Sequence, residues 1–247
     1  VSSPGVDLVR HPAGATELVL LAHGGQEHSD ADPHRWRPAL LRMWPFAQAA
    51  QSTAPDAAIG FLRYRSRGWN GGAAATDLRT VLEELPAAIS RVLLIGHSMG
   101  GRAVVAAGDH PRVAGVLALA PWLPRDEPLV ALRPPVTFAH GTADTVTDPA
   151  ATIAYAQRLR AAGTPVTVYS LSGETHAMLR RAGDWDRLVA DFVAAASGPA
   201  LPAGTSRGVV VEEVPPGQNR VSTAAAVGRI ATARLRLPVR SRFRAGR

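Results

Sequence analysis

The sequence predicts an α/β fold, one mainly parallel sheet with helices on both faces, and three observations carry that prediction. Apolar strand-like runs recur at residues 17–22, 57–64, 91–96, 113–120, 135–140 and 166–171 and alternate with helix-compatible segments. Such alternation implies right-handed crossovers between parallel strands. Several runs are apolar almost throughout, as at 18–22, which is the pattern of strands covered by helices on both sides. Finally, 247 residues with 46% hydrophobic content suffice for one sizeable core, so a single catalytic-size domain is expected.

The elements follow in chain order. Residues 6–10 read as an antiparallel edge strand ahead of the 17–22 strand, and residues 36–51 as the first helix. The 57–64 strand ends in Arg63, Arg65 and Arg67, three arginines at alternate positions that read either as an anion site or as a solvated, salt-bridged face. Helices at 74–85 and 99–108 flank the 91–96 strand. The helix at 149–162 has a proline start, Pro149 after Asp148, and a glycine stop at Gly163. In the last helix, 184–196, Trp185, Leu188, Val189, Phe192 and Val193 share one stripe that closes the core. Beyond Ser197 the helical periodicity stops, so residues 1–197 form the expected domain and 198–247 an arginine-rich, disordered tail.

Charge and composition narrow the function. The formal net charge is +7, yet residues 198–247 hold nine arginines and two glutamates and so account for the whole excess. The remaining residues hold eighteen basic and eighteen acidic side chains, which gives the core no electrostatic reason to bind nucleic acid or membrane. Between residues 234 and 244 arginines alternate with Leu235, Leu237, Val239 and Phe243, so an extended arm there would be amphipathic and could meet an anionic surface. A solvated tail is the simpler expectation. Absence of cysteine excludes disulfide scaffolds, thiolate nucleophiles and zinc–thiolate sites. No run approaches the length of a membrane span and no signal-peptide pattern opens the sequence, so a soluble, cytoplasmic protein is expected.

The chemistry is concentrated after the strands. Gly96-His97-Ser98-Met99-Gly100 directly follows the 91–95 run, and G-x-S-x-G needs glycine at both ends because the chain turns too sharply there for side chains beside the serine. Ser98 is thereby presented as a nucleophile, which requires a base and an acid to orient it. His140-Gly141-Thr142-Ala143-Asp144 follows one later strand and Gly173-Glu174-Thr175-His176 follows the next. The order Ser98, Asp144, His176 results. Asp148 competes with Asp144 but suits a helix cap, and His140 competes with His176 but suits a turn. His23 and His97 read as loop supports, His28 and His34 as exposed.

With His23-Gly24-Gly25 and Gly96-His97-Ser98-Met99-Gly100-Gly101 added to the two later motifs, the chain resembles the α/β-hydrolase superfamily over residues 6–196. The resemblance implies a serine hydrolase, most simply of carboxylic esters, in which His176 takes the Ser98 proton while Asp144 orients the imidazole. Thioesterase, acyltransferase or cofactor-free perhydrolase activity would use the same three residues, and an inactive binding module would keep only the fold. The backbone N–H of Met99 is the expected first oxyanion donor, with Gly25 or else Gln26 as the second. Relatives that open epoxides carry aspartate in the elbow and dienelactone-type hydrolases carry cysteine, whereas this chain carries serine. No metal-ligand cluster is present in the sequence, and no cofactor is expected.

Only fifteen residues, 121–135, separate the strand after the elbow helix from the strand before the acid, too few for a substantial cap. An open site for small or protruding acyl groups follows. Gln26, Trp122 and Met178 are its candidate substrate contacts, although core packing would explain Trp122 and Met178 equally well.

Overall fold

The computed structural model describes residues 3–32, 38–197, 210–214 and 225–229. Its centre is an eight-stranded sheet in the order β1-β3-β2-β4-β5-β6-β7-β8. The strands are β1 (Gly5–Arg10), β2 (Glu17–Ala22), β3 (Ala58–Arg63), β4 (Arg91–His97), β5 (Val113–Leu119), β6 (Val136–Gly141), β7 (Val166–Leu171) and β8 (Val210–Val214). β1 pairs antiparallel with β3, and every other pairing is parallel.

The side-chain period of two explains why the strands are so uniformly apolar. On β2, Leu18, Leu20 and Ala22 enter one core layer while Val19 and Leu21 enter the other. On β4, Val92 and Leu94 go one way and Leu93 and Ile95 the other. The first layer is completed by α3 (Ala73–Glu84), α4 (Met99–Ala106) and α5 (Pro149–Ala161), and the second by α1 (Pro38–Arg42), α2 (Trp44–Thr53) and α6 (Ala182–Ser197). The stripe expected on the last helix is buried as a unit: Trp185, Leu188, Val189, Phe192 and Val193 all lie in the second layer.

Two expectations need correction. The helix expected over 36–51 is broken at Met43, because Pro45 lacks the N–H that a continuous helix would use and is tolerated only in a first turn; α2 accordingly begins at Trp44. The boundary expected at Ser197 falls short of the sheet, since β8 adds to β7 from Thr167↔Val210 to Leu171↔Val214. Short strands carry too weak an alternation to stand out in a Pro- and Gly-rich stretch. Residues 225–229 form a helical turn whose Ala226 is buried and whose Arg229 pairs with Asp186 at 2.6 Å. The alternating segment 234–244 lies outside the described residues. Of the three arginines at the end of β3, Arg63 pairs with Asp7 and Arg65 with Asp77, which matches the salt-bridged reading rather than the anion site.

Between β5 and β6 the chain runs through residues 120–135 without a helix, so this connection contributes no helical cap to the C-terminal ends of the strands. Among the described residues no helix is long and apolar enough to cross a membrane.

Candidate active site

The C-terminal ends of β2, β4, β6 and β7 deliver the site, as expected for an open parallel sheet. Ser98 joins β4 to α4 with φ 58° and ψ −120°, a conformation that L-residues avoid unless their surroundings impose it. Two close approaches impose it here. A Cβ on Gly96 would lie 2.2 Å from the Gly100 carbonyl oxygen, and one on Gly100 would lie 2.1 Å from that of Ala22. Three hydrogen bonds then hold the turn: Ser98 N–H donates to Leu119, while the Ser98 carbonyl accepts from Arg102 and Trp122, each at 3.1 Å.

The loop after β2 closes against this elbow. A Cβ on Gly24 would lie 3.2 Å from Ser98 Cβ, and one on Gly25 would lie 2.6 Å from Met99 Sδ and 2.2 Å from the Arg67 carbonyl. Gly25 thus brings its backbone beside the start of α4, whose first N–H groups, that of Met99 among them, have no partner within the helix. The Gln26 N–H, in contrast, donates to the Arg67 carbonyl at 3.1 Å, so of the two alternative oxyanion donors Gln26 is already engaged. Asn70, at φ 47°, clamps this loop from the other side: its Oδ1 accepts from Ser29 N–H at 2.9 Å and its Nδ2 donates to the Ser29 carbonyl at 3.1 Å. Sequence reasoning passed over Asn70, although the Asn70-Gly71-Gly72 turn signal marks it.

Asp144 and His176 meet across neighbouring loops. Nδ1 of His176 lies 2.8 Å from Asp144 Oδ2, with the carboxylate side chain fully buried and the imidazole 17% exposed. Asp144 Oδ1 accepts the N–H groups of Val146 and Thr147 at 2.8 and 3.0 Å, and Oδ2 accepts the Thr147 hydroxyl at 2.9 Å. Burial opposes the charge, but the bonds from His140, His176 and the Thr147 and Val146 amides outweigh it and hold the carboxyl well below the usual carboxylate range. Gly141 lets the two loops touch, since a Cβ there would lie 2.3 Å from the Glu174 carbonyl, and Ala143 N–H donates to that carbonyl at 2.9 Å. Glu174, fully buried, ties the histidine loop to α6: Oε1 accepts from Thr175 N–H at 2.7 Å and Oε2 from Arg181 N–H and Trp185 Nε1 at 2.7 and 3.1 Å.

His97 links the elbow to that loop. Its ring lies 4.7 Å from the His176 ring, centroid to centroid, and its Nε2 donates to the His176 carbonyl at 3.2 Å. Burial, reinforced by His176 and Arg42, depresses its pKa well below the ordinary histidine value, so His97 is neutral. Asp148, the rival acid, caps α5 by accepting from Ala150 N–H at 2.8 Å. His140, the rival base, is buried at 3% exposure with Nε2 3.2 Å from Asp144 Oδ2 and Nδ1 2.9 Å from Thr152 Oγ1. It does more than shape a turn. His23 donates through Nδ1 to the Gly24 carbonyl at 2.7 Å, the supporting role expected of it. His28 is exposed beside Glu27, and His34 lies outside the described residues.

The residues expected to contact substrate divide. Trp122 stands next to Ser98 through its backbone bond, and its ring meets Trp69 edge-to-face at 6.4 Å. Arg102 lies against both rings, 4.0 Å from Trp69 and 4.6 Å from Trp122, and pairs with Glu127 at 2.6 Å. Met178, by contrast, is 3% exposed in the second core layer, where it faces Pro45, Phe46 and Ala182. That burial matches the core-packing reading that the sequence leaves open for it.

This arrangement of sheet, elbow and strand-end loops defines the α/β-hydrolase fold without a cap. Residues 47–201, more than half of the chain, match the Dienelactone hydrolase family, and the chain belongs to that family. No curated protein matches it in sequence. Among solved structures it is similar to esterase PE8 (17% identity, TM-score 0.58, covering 77% of this chain and all of that one). It is also similar to an alpha-beta serine hydrolase homologue from Coxiella burnetii (18%, 0.56, 77% and 98%) and to the monoacylglycerol lipase of Paleococcus ferrophilus (14%, 0.57, 78% and 99%). At these identities the likeness is one of fold.

Proposed function

We propose that the protein is a cofactor-independent serine hydrolase of carboxylic esters, with Ser98 as nucleophile, His176 as general base and Asp144 as its orienting acid. The observation that carries this reading is the 2.8 Å contact between His176 Nδ1 and a buried, ionised Asp144, on the loop that His97 joins to the elbow. With Nδ1 engaged, Nε2 is the nitrogen left for the Ser98 hydroxyl. Ser98 attacks the acyl carbon, its proton passes to His176, and the carbonyl oxygen becomes an oxyanion received by the Met99 and Gly25 N–H groups. Collapse returns the proton to the leaving alcohol and leaves an acyl-serine, which water cleaves by the same route in reverse order.

The capless β5–β6 connection and the Trp69–Trp122 pair beside the elbow support small or protruding acyl groups rather than long buried chains. The family name speaks for a hydrolase, while serine at the elbow speaks for ester chemistry by a hydroxyl nucleophile. Ser98→Ala is expected to lower kcat on an activated ester by roughly 10⁴- to 10⁶-fold with the fold intact. Turnover close to wild type would refute the reading. A series of p-nitrophenyl esters of rising acyl length, with thioester counterparts, separates esterase from thioesterase activity; rates should fall once the acyl chain exceeds a few carbons.

A further inference from the structure

Asp144 has more partners than orienting one histidine requires. Besides His176 and Thr147, its Oδ2 faces His140 Nε2 at 3.2 Å, and the far side of that ring is fixed by Thr152, fully buried, at 2.9 Å from Nδ1. A ring nitrogen that faces an ionised carboxylate carries its hydrogen, since two lone pairs would otherwise oppose each other. His140 Nε2–H therefore donates to Oδ2, and the Thr152 hydroxyl donates to Nδ1. Both nitrogens are consumed in buried bonds, which removes His140 as a base but leaves it a share of the oxygen that His176 uses.

We propose that His140 is a positioning residue that sets how strongly Asp144 holds the His176 proton. Two N–H donors on one carboxylate oxygen divide its electron density, so each is held less tightly than it would be alone. With His140 donating, the carboxylate stays ionised and exerts a moderated pull on the imidazolium formed during attack, so that His176 readily returns its proton to the leaving group. Without that donor, Oδ2 keeps only the Thr147 hydroxyl beside His176, is shared among fewer donors, and raises the proton affinity of the imidazole. This inference rests on His176 being the base.

The surrounding charges are accounted for element by element. From the elbow His97 faces His176 as a neutral ring. From α1 Arg42 donates to the Ala177 carbonyl, from the histidine loop Glu174 is spent on Arg181, Thr175 and Trp185, and from α5 Asp148 is spent on its cap. None of these groups shares a hydrogen bond with His140, whose partners are Asp144, Thr147 and Thr152.

The test compares His140→Phe, which keeps a ring but loses the donor, with His140→Gln, whose side-chain amide can donate from the Nε2 position. The His176 titration is followed by imidazole NMR, assigned by its loss in His176→Gln, and the acid limb of kcat/KM is recorded alongside. Phe should move the midpoint upward by about half to one pH unit, the equivalent of one neutral hydrogen bond. Gln should restore it. Loss of activity in Phe with an unmoved midpoint, or an equal shift in Gln, would overturn the proposal. Should Phe fail to fold, His140→Leu carries the test, because it fills much of the same space and likewise lacks a donor: an upward shift supports the proposal and none defeats it. The NMR titration needs no turnover, so a protein without esterase activity would fail the functional reading while still answering this question.

Discussion

At the scale of single residues, the account turns on a carboxylate that is buried yet charged. Five donors converge on Asp144, two backbone amides at Oδ1 and the side chains of His176, His140 and Thr147 at Oδ2. Asp144→Asn keeps the shape but turns an amide toward Nδ1, favouring the wrong tautomer, and should cost about 10⁴-fold in kcat with KM little changed. Stopped assays on an activated ester check this, and a loss below tenfold would count against Asp144. The residues proposed as nucleophile, acid and base could be picked out in the sequence because each sits at a fixed offset from glycine after an apolar run, and the structure brings Asp144 and His176 together. His140 and Thr147 were not legible as partners of the acid, since hydrogen bonding to a shared oxygen leaves no spacing signature. Met178 allowed two readings, substrate contact or core packing, and its burial in the second core layer matches the latter.

At the scale of elements, the site depends on backbones that approach within reach of each other. Gly100→Ala would force a methyl to 2.1 Å from the Ala22 carbonyl, a clash with main chain that no rotamer relieves. Overpacking of this kind costs about 1–3 kcal/mol or more, and the elbow should open, so both urea midpoint and kcat should fall together. Asn70→Ala tests the clamp on the loop after β2. Its loss should leave the elbow intact and lower kcat by about tenfold, less than the 10²- to 10³-fold cost of removing an oxyanion donor outright. An unchanged kcat would show that the backbone bonds of Gln26, Glu27 and Ala31 to residues 67–70 fix that loop without the Asn70 side chain. Strands and helices were legible here through period and length, whereas the break at Met43 required weighing one proline against an otherwise helical pattern.

At the scale of the whole molecule, two buried groups make folding sensitive to acid in the same direction. Asp144 has a folded-state pKa below its unfolded value of about 3.9, so its contribution is complete above about pH 5 and is lost as pH falls further. His97 stays neutral when folded but takes a proton when unfolded, so stability also declines below about pH 6.5, its ordinary value. His97→Asn should flatten the decline of the urea midpoint between pH 6.5 and 5, and an identical slope in the variant would contradict the assignment. Truncation after Ser197 would strip β8 from β7, expose a bare edge, and remove both Arg229 from Asp186 and the Val214 carbonyl from Arg181. A fall in Tm of roughly 5 °C or more is expected, consistent with the loss of a few kcal/mol in a domain of this size. The overall α/β architecture was legible because six strands announce themselves as apolar runs and β1 as an edge strand, while β8 depends on a partner strand that the sequence does not display. The claim that unites these scales is that Ser98, His176 and Asp144 act as one unit, and active-site labelling measures it most directly. A fluorophosphonate should modify the wild-type protein once, at Ser98 by peptide mass spectrometry, and modification should be abolished in Ser98→Ala and strongly slowed in His176→Gln. Labelling that persists in Ser98→Ala, or no labelling of the folded wild type, would contradict the account.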